Sequence, residues 1–167
     1  SPGPSPDRLS SRISATARLL WGVYVLITGL EVLLLWLVGC MSVFNAVCHA
    51  FTTMATGGFS TLDSSVGGFA SPAVEWIIVV FMFLAGVNFS LHYVALTGRF
   101  RIYWKDDEFR FYTFVTLGAS LLVFGVLLPS GLIQGYEANI RAAVFQVVSI
   151  GTTTGYGSSD YALWPTF

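Results

Sequence analysis

Two stretches rich in threonine and glycine are the residues of this sequence best suited to bind a ligand. One contains Thr154-Gly155-Tyr156-Gly157, and the other, 97 positions upstream, contains Gly57-Gly58-Phe59. Backbone carbonyl oxygens of such a stretch can replace the water shell of a dehydrated potassium ion, because glycine adopts the backbone angles that turn these oxygens toward one axis. The predicted chemistry is therefore cation coordination by the backbone, without a charged side chain.

A shift of 97 positions superimposes the two stretches and their surroundings. The identical pairs are Ala46 and Ala143, Val47 and Val144, Thr56 and Thr153, Gly58 and Gly155, and Asp63 and Asp160. Phe59 falls on Tyr156 in the same register. For either stretch alone, an ordinary Gly/Thr turn outside a membrane is the alternative interpretation. The shared register favours an internal repeat, which is a common build for transport proteins.

We expect the backbone of eight residues to bind the ion. They are Thr56, Gly57, Gly58, Phe59, Thr153, Thr154, Gly155 and Tyr156, with K⁺ at Thr56, Gly57, Thr153 and Thr154. Short apolar helices are predicted just before them, at residues 43–51 and 139–149. The partially negative C-terminal end of each helix would favour a cation there. No resident cofactor is expected, since potassium is the transported ion.

The composition places the chain in a membrane. Hydrophobic residues make up 54% of it and charged residues only 10%, whereas a soluble domain has about 25% charged residues. Three runs are apolar and long enough to span a membrane as helices, at residues 19–40, 73–96 and 111–128. The net charge of −1 gives no indication of nucleic-acid binding.

The basic residues predict the orientation of these runs. Seven of the eight precede the first run or lie between the second and the third: Arg8, Arg12, Arg18, Arg99, Arg101, Lys105 and Arg110. By the positive-inside rule both regions are cytoplasmic. The two Thr/Gly stretches would then enter the membrane from outside and return, because non-helical backbone at that depth must line a hydrated path or be buried.

These predictions divide the chain into four parts. They are a cytoplasmic linker at 1–17, a helix–pore loop–helix repeat at 18–97, a cytoplasmic loop at 98–110, and a second repeat truncated after its pore loop at 111–167. The predicted fold is an all-α membrane protein with potassium-channel-like, incomplete repeats of helix, re-entrant pore loop and helix.

Five further polar residues are candidates for a pore or vestibule. A carboxylate in the middle of a membrane helix costs at least about 2.5 kcal/mol, so Glu31 lines an ion path, bonds a neighbouring helix or is protonated. Asn88 and His92 share a helix face, which points to a vestibule or to interhelix hydrogen bonds. Asp63 and Asp160, five residues after their glycines, would concentrate cations at an outer mouth or cap a turn.

Three motifs resemble the Trk/Ktr/HKT superfamily of potassium transporters, and most closely its Trk-type bacterial membrane subunit. They are Ala55-Thr56-Gly57-Gly58-Phe59-Ser60-Thr61, Gly86-Val87-Asn88-Phe89-Ser90-Leu91-His92-Tyr93 and Thr152-Thr153-Thr154-Gly155-Tyr156-Gly157. The resemblance covers residues 18–165. It implies four repeats around one ion path, each with a key glycine matched here by Gly58 and Gly155. The chain would then be a fragment holding the second repeat and part of the third.

The resemblance also implies potassium uptake across the plasma membrane, which is the bacterial inner membrane. Passive conduction and symport with protons or sodium can use the same filter. Glycine at both matched positions agrees with a preference for potassium, since members with serine at one of them tend to accept sodium. The implied partners are membrane lipid, the remaining repeats of the full-length chain, a second copy in a homodimer, and a cytoplasmic nucleotide-binding regulatory subunit.

Two other classes of function compete with transport. A non-conducting membrane interaction or structural module is the alternative, because two filter strands cannot close a fourfold site. An enzyme is not expected, because no nucleophile, base or metal cluster converges in the sequence.

Overall fold

The computed structural model describes residues 6–164, and within them the side chains of all but residues 6–13, 15 and 161. The described residues form seven α-helices, two short 3₁₀ turns and no strand. The helices are α1 (Pro6–Leu37), α2 (Val43–Met54), α3 (Pro72–Ala85), α4 (Phe89–Leu96), α5 (Ile102–Lys105), α6 (Asp107–Ser130) and α7 (Tyr136–Gly151), and the turns are Ser65–Phe69 and Tyr161–Leu163. The predicted all-α architecture is therefore confirmed.

The first helix differs from the predicted run at both ends. It begins at Pro6, inside the stretch predicted as a linker, where proline suits the first turn of a helix; residues 1–5 of that stretch lie outside the described residues. It ends at Leu37 rather than residue 40, because the chain turns at Cys40, whose φ is +54°. The helical backbone thus continues well beyond the apolar run.

The apolar run at 73–96 is two helices rather than one. Its halves, α3 and α4, are bent by 100° at a short break. Asn88 begins the second half, because its Oδ1 accepts a hydrogen bond from the backbone N–H of Ser90 at 3.0 Å. A Cβ at Gly86 would lie 2.6 Å from the Tyr112 hydroxyl oxygen, so the break packs tightly against α6.

The predicted loop at 98–110 is also partly helical. It contains α5 and the first turn of α6, which Asp106 caps by accepting a hydrogen bond from the N–H of Phe109 at 2.8 Å. Helix α6 runs through Pro129 in its last turn and ends at Gly131, which has a φ of +69°. An aspartate cap and a terminal glycine are the usual boundaries of a helix.

Two of the described helices are long and apolar enough to cross a membrane, and the bent pair is a third if it counts as one span. The two are the Thr16–Leu37 part of α1 and the whole of α6. Between them, α2 packs against α1 and α3, while α7 packs against α6 and α3. Helix α3 therefore contacts both short helices and fixes how they lie relative to each other.

One buried cluster joins the first and the second repeat. It comprises Leu35, Met41, Ala46, Val66, Val74, Ile78, Val79, Met82, Phe145, Val148 and Tyr156. Most of these side chains come from α1 to α3, and the last three come from α7 and the stretch that follows it. The core therefore sits directly beside the two Thr/Gly stretches.

Candidate ion-binding site

The two Thr/Gly stretches have the same backbone conformation. In the first Thr/Gly segment (residues 56–59), φ is +49° at Thr56 and +65° at Gly58; in the second Thr/Gly segment (residues 153–156), φ is +60° at Thr153 and +87° at Gly155. Positive and negative φ thus alternate in both, which allows successive carbonyl oxygens to face one side. Threonine in the left-handed region is strained, and such strain clusters at functional sites.

Matching hydrogen bonds hold the ends of the two segments. Thr52 donates its hydroxyl proton to the carbonyl oxygen of Phe59 at 2.9 Å, and Ser149 donates to that of Tyr156 at 2.7 Å. Both donors lie on the short helices and are themselves 97 positions apart. These two carbonyls are therefore engaged by the short helices, unlike those that precede them.

The two segments are in direct contact at Gly58. A Cβ on this residue would lie 2.0 Å from the carbonyl oxygen of Thr154, so the contact exists only because glycine has no side chain. A Cβ on Gly155 would meet nothing within 4 Å among the described residues. The structure therefore brings the two predicted glycines to one site, in unequal surroundings.

The Tyr156 side chain crosses from the second segment to the first repeat. It is 1% exposed and stacks on the ring of His49, with ring centroids 5.9 Å apart. Its hydroxyl shares a hydrogen bond with Thr52 at 2.5 Å and donates to the carbonyl oxygen of His49 at 3.2 Å. The matching Phe59 is 77% exposed. A lone histidine in a short helix predicts packing or capping, and the contact of His49 with Tyr156 is packing of this kind.

Asp63 and Asp160 line one cavity of about 540 Å³ beside the segments. The N–H of Gly67 donates to the carbonyl oxygen of Gly157 at 3.1 Å and holds the two sides of this cavity together. Asp160 also accepts a hydrogen bond from the N–H of Ala162 at 3.1 Å, which caps the turn at Tyr161–Leu163. The two aspartates are therefore neighbours of one opening, while their effect on cations stays a prediction.

Asn88 and His92 lie at the break between α3 and α4 rather than beside the segments. His92 is buried; its Nε2 donates to the carbonyl oxygen of Leu84 at 2.9 Å, and its Nδ1 accepts from the Tyr103 hydroxyl at 2.7 Å. Both ring nitrogens are thus used in bonds that join α4 to its neighbours. These contacts match the interhelix hydrogen-bonding alternative, and a vestibule role stays a prediction.

Glu31 is fully buried in α1, close to Thr53 at the end of α2. No cavity described beside the two segments includes it. The predicted role of this carboxyl group as a pore lining stays a prediction.

Arg141, the one basic residue outside the predicted cytoplasmic regions, ties α7 to α3. Its Nε donates to Glu75 at 2.8 Å, with both side chains nearly buried at 13% and 12% exposed, and its Nη1 pairs with Glu137. Trp76 donates its indole proton to Glu137 at 2.9 Å. The hydrogen bond from Arg141, followed by that from Trp76, holds the pKa of the Glu137 carboxyl group below its usual range.

The helices and the paired segments define an all-α, multi-pass membrane protein. Its described residues contain no group of three or more His, Cys, Asp or Glu side chains that could hold a metal ion. A profile of the TrkH family, described as "Cation transport protein", matches residues 7–167. The chain belongs to this family.

Individual relatives agree with that assignment. The Trk system potassium uptake protein TrkH of Salmonella typhimurium strain LT2 is 42% identical over 99% of this chain, and the protein TrkG of Escherichia coli K12 is 32% identical over 99%. The crystal structure of the potassium transporter TrkH from Vibrio parahaemolyticus is 38% identical and superimposes with a TM-score of 0.88 over 99% of the chain. The chain spans about 35% of the length of these relatives.

Proposed function

We propose that this chain supplies two of the carbonyl-lined segments through which a potassium uptake protein moves K⁺ across a membrane. The observation that carries the proposal is the alternation of positive φ at Thr56, Gly58, Thr153 and Gly155 in two segments that touch. Successive carbonyl oxygens on one side of a strained, glycine-containing backbone suit a dehydrated potassium ion. The names of the relatives, all Trk potassium uptake proteins, support the choice of ion.

The hydrogen bonds narrow the set of proposed ligands. The carbonyl oxygens of Phe59 and Tyr156 already accept protons from the short helices. The proposal therefore places K⁺ at the carbonyls that precede them in each segment: Thr56, Gly57, Thr153 and Thr154. Potassium enters as cargo, no cofactor is assigned, and no enzymatic step is included.

The short helices support a re-entrant path. Helices α2 and α7 end at Met54 and Gly151, directly before the two segments, so the partially negative end of each helix adjoins the proposed ligands. Asp63 and Asp160 would raise the local cation concentration at the outer opening that they line.

Further repeats of the full-length protein would complete the path. Tyr156 is buried against the short helix of the first repeat, whereas Phe59, its counterpart, is 77% exposed. A preceding repeat that presents its own short helix would cover Phe59 in the same way. This favours transport over the non-conducting module, because the exposed ring would be buried by the short helix of the preceding repeat.

The remaining partners follow from the family rather than from a contact. The proposed cytoplasmic loop carries Arg99, Arg101 and Lys105 around one cavity of about 620 Å³, which a regulatory subunit or lipid headgroups could contact. Pairing with a second copy and location in the bacterial inner membrane complete the proposal.

Substitution of the two glycines in the full-length protein tests the proposal. Replacing Gly58 or Gly155 with serine or aspartate should abolish rubidium uptake or broaden its ion selectivity, because a side chain enters the ion path and left-handed φ becomes costly. Uptake is measured in cells that lack other potassium uptake systems, with surface expression as the control. Unchanged selectivity in both sets of variants would refute the assignment.

A further inference from the structure

Glu31 is a buried acid for which the proposed ion path has no use. It is 0% exposed, on the same face of α1 as the buried side chains of Thr28 and Leu35. Neither carboxyl oxygen has a hydrogen-bond partner of good geometry among the described residues, and the polar side chain that interacts with the carboxyl group is that of Thr53. Because this chain alone buries the side chain completely, no further repeat or partner can reach it. The state of the carboxyl group is therefore decided by the groups around it here.

Each neighbouring hydroxyl group has an acceptor other than Glu31 within hydrogen-bond distance. Thr53, beside Glu31, donates its proton to the carbonyl oxygen of His49 at 2.7 Å. The Tyr156 hydroxyl donates to the same oxygen at 3.2 Å, and Thr52 has the carbonyl oxygen of Phe59 at 2.9 Å. An ionised Glu31 would thus be a buried charge without a donor, which is among the most expensive arrangements in a protein.

The imidazole of His49 is also committed elsewhere. Its Nδ1 donates to the carbonyl oxygen of Asn45 at 2.8 Å, and its Nε2 accepts from the Ser60 hydroxyl at 3.0 Å. With both ring nitrogens engaged by other groups, the imidazole of His49 is not a hydrogen-bond donor to Glu31. Protonation of Glu31 removes the need for a neighbouring hydrogen-bond donor and for a balancing charge. The neutral acid has its own O–H group to donate, and the Thr53 hydroxyl oxygen has a lone pair that accepts it.

We propose that Glu31 is a protonated carboxylic acid that donates a hydrogen bond to Thr53 and so positions Tyr156 and the second Thr/Gly segment. The Thr53 hydroxyl lies 3.5 Å from that of Tyr156, and both contact the carbonyl oxygen of His49. Fixing Thr53 fixes the tyrosine, whose backbone directly follows Gly155. The inference rests on the proposed function of that segment, and Glu31 acts as a positioning residue that never touches the ion.

Matched variants of the full-length transporter separate this role from simple packing. Glu31→Gln keeps a donor of the same length, whereas Glu31→Leu keeps the volume and removes the donor. We expect Glu31→Gln to retain the potassium-over-sodium selectivity of the wild type and Glu31→Leu to lower it about five- to tenfold, the equivalent of one buried hydrogen bond. Thr53→Val should reproduce the loss and Thr53→Ser should not. The Leu/Val double variant should lose no more than either single variant.

Infrared spectroscopy measures the proton without reference to transport. The purified wild type should show the carbonyl stretch of a buried protonated carboxylic acid at neutral pH, and Glu31→Gln should lack it. An absent band in the wild type, or wild-type selectivity in Glu31→Leu, would overturn the inference. If Glu31→Leu does not assemble, Thr53→Val against Thr53→Ser decides the positioning role. A wild-type protein without potassium selectivity would instead sink the proposed function, while the infrared band would still decide the state of Glu31.

Discussion

Alanine at the two central glycines should have clearly unequal effects. Both residues have a left-handed φ, which costs a non-glycine residue about 1–2 kcal/mol. At Gly58 the new Cβ would also lie 2.0 Å from the carbonyl oxygen of Thr154, inside the 3.0 Å that real Cβ atoms keep. The oxygen must therefore retreat by about 1 Å, and overpacking of this kind adds about 1–3 kcal/mol. Gly155→Ala meets no neighbour and has only the first cost.

The difference between the two variants is thus about 1–3 kcal/mol, or about 5- to 150-fold in an equilibrium constant. Because the displaced oxygen is a proposed K⁺ ligand, we expect this difference in the apparent affinity for rubidium. The assay is concentration-dependent rubidium uptake by the full-length protein, with competing sodium and with surface expression matched between the variants. Equal affinities in the two variants, or a larger loss in Gly155→Ala, would refute the contact between the segments.

Two further predictions concern the supports of the segments. Arg141→Met should lower the free energy of unfolding by about 3 kcal/mol, because it leaves Glu75 nearly buried and unpaired. The Arg141→Met/Glu75→Gln double variant should recover much of this stability. Thermal unfolding in detergent measures both variants, and no recovery in the double variant would contradict the ion pair. Gly86→Ala should lower the melting temperature, because its Cβ would lie 2.6 Å from the Tyr112 hydroxyl oxygen. Gly125→Ala on α6, whose Cβ would meet nothing within 4 Å, should raise or preserve the melting temperature. Equal shifts in the two variants would count against the tight packing at the break.

The repeat of the two segments could be predicted from sequence because backbone conformation leaves a compositional trace. Glycine stands at two of the four positions in the segments where φ is left-handed, Gly58 and Gly155, and these two positions are equivalent under the shift of 97. The hydroxyl donors Thr52 and Ser149 obey the same shift of 97, but their different side chains hid the match. An alignment of hydroxyl-bearing residues, rather than of identical ones, could have found them.

The bend between α3 and α4 could not be predicted in the same way. Apolar composition continues across it, and Gly86 alone is tolerated inside many helices. The tight contact at the break is made by Tyr112 of α6, a residue 26 positions further on, which no local pattern around Gly86 reveals. The ion pair of Arg141 with Glu75 was equally hidden, since Glu75 lies 66 positions away on another helix, whereas the i,i+4 spacing of Glu137 and Arg141 is visible in the sequence.

The bond between Tyr156 and α2 also has a consequence for biosynthesis. The tyrosine and Thr52 are 104 residues apart, and the chain is made at about 5–20 residues per second. The residues of α2 that contact Tyr156, Thr52 and His49, are therefore synthesised about 5 to 20 s before Tyr156 itself. During that interval the surface of α2 that later contacts Tyr156 is uncovered, and the tyrosine covers it once the second segment is made. The two segments would thus come together only after the second of them has been made.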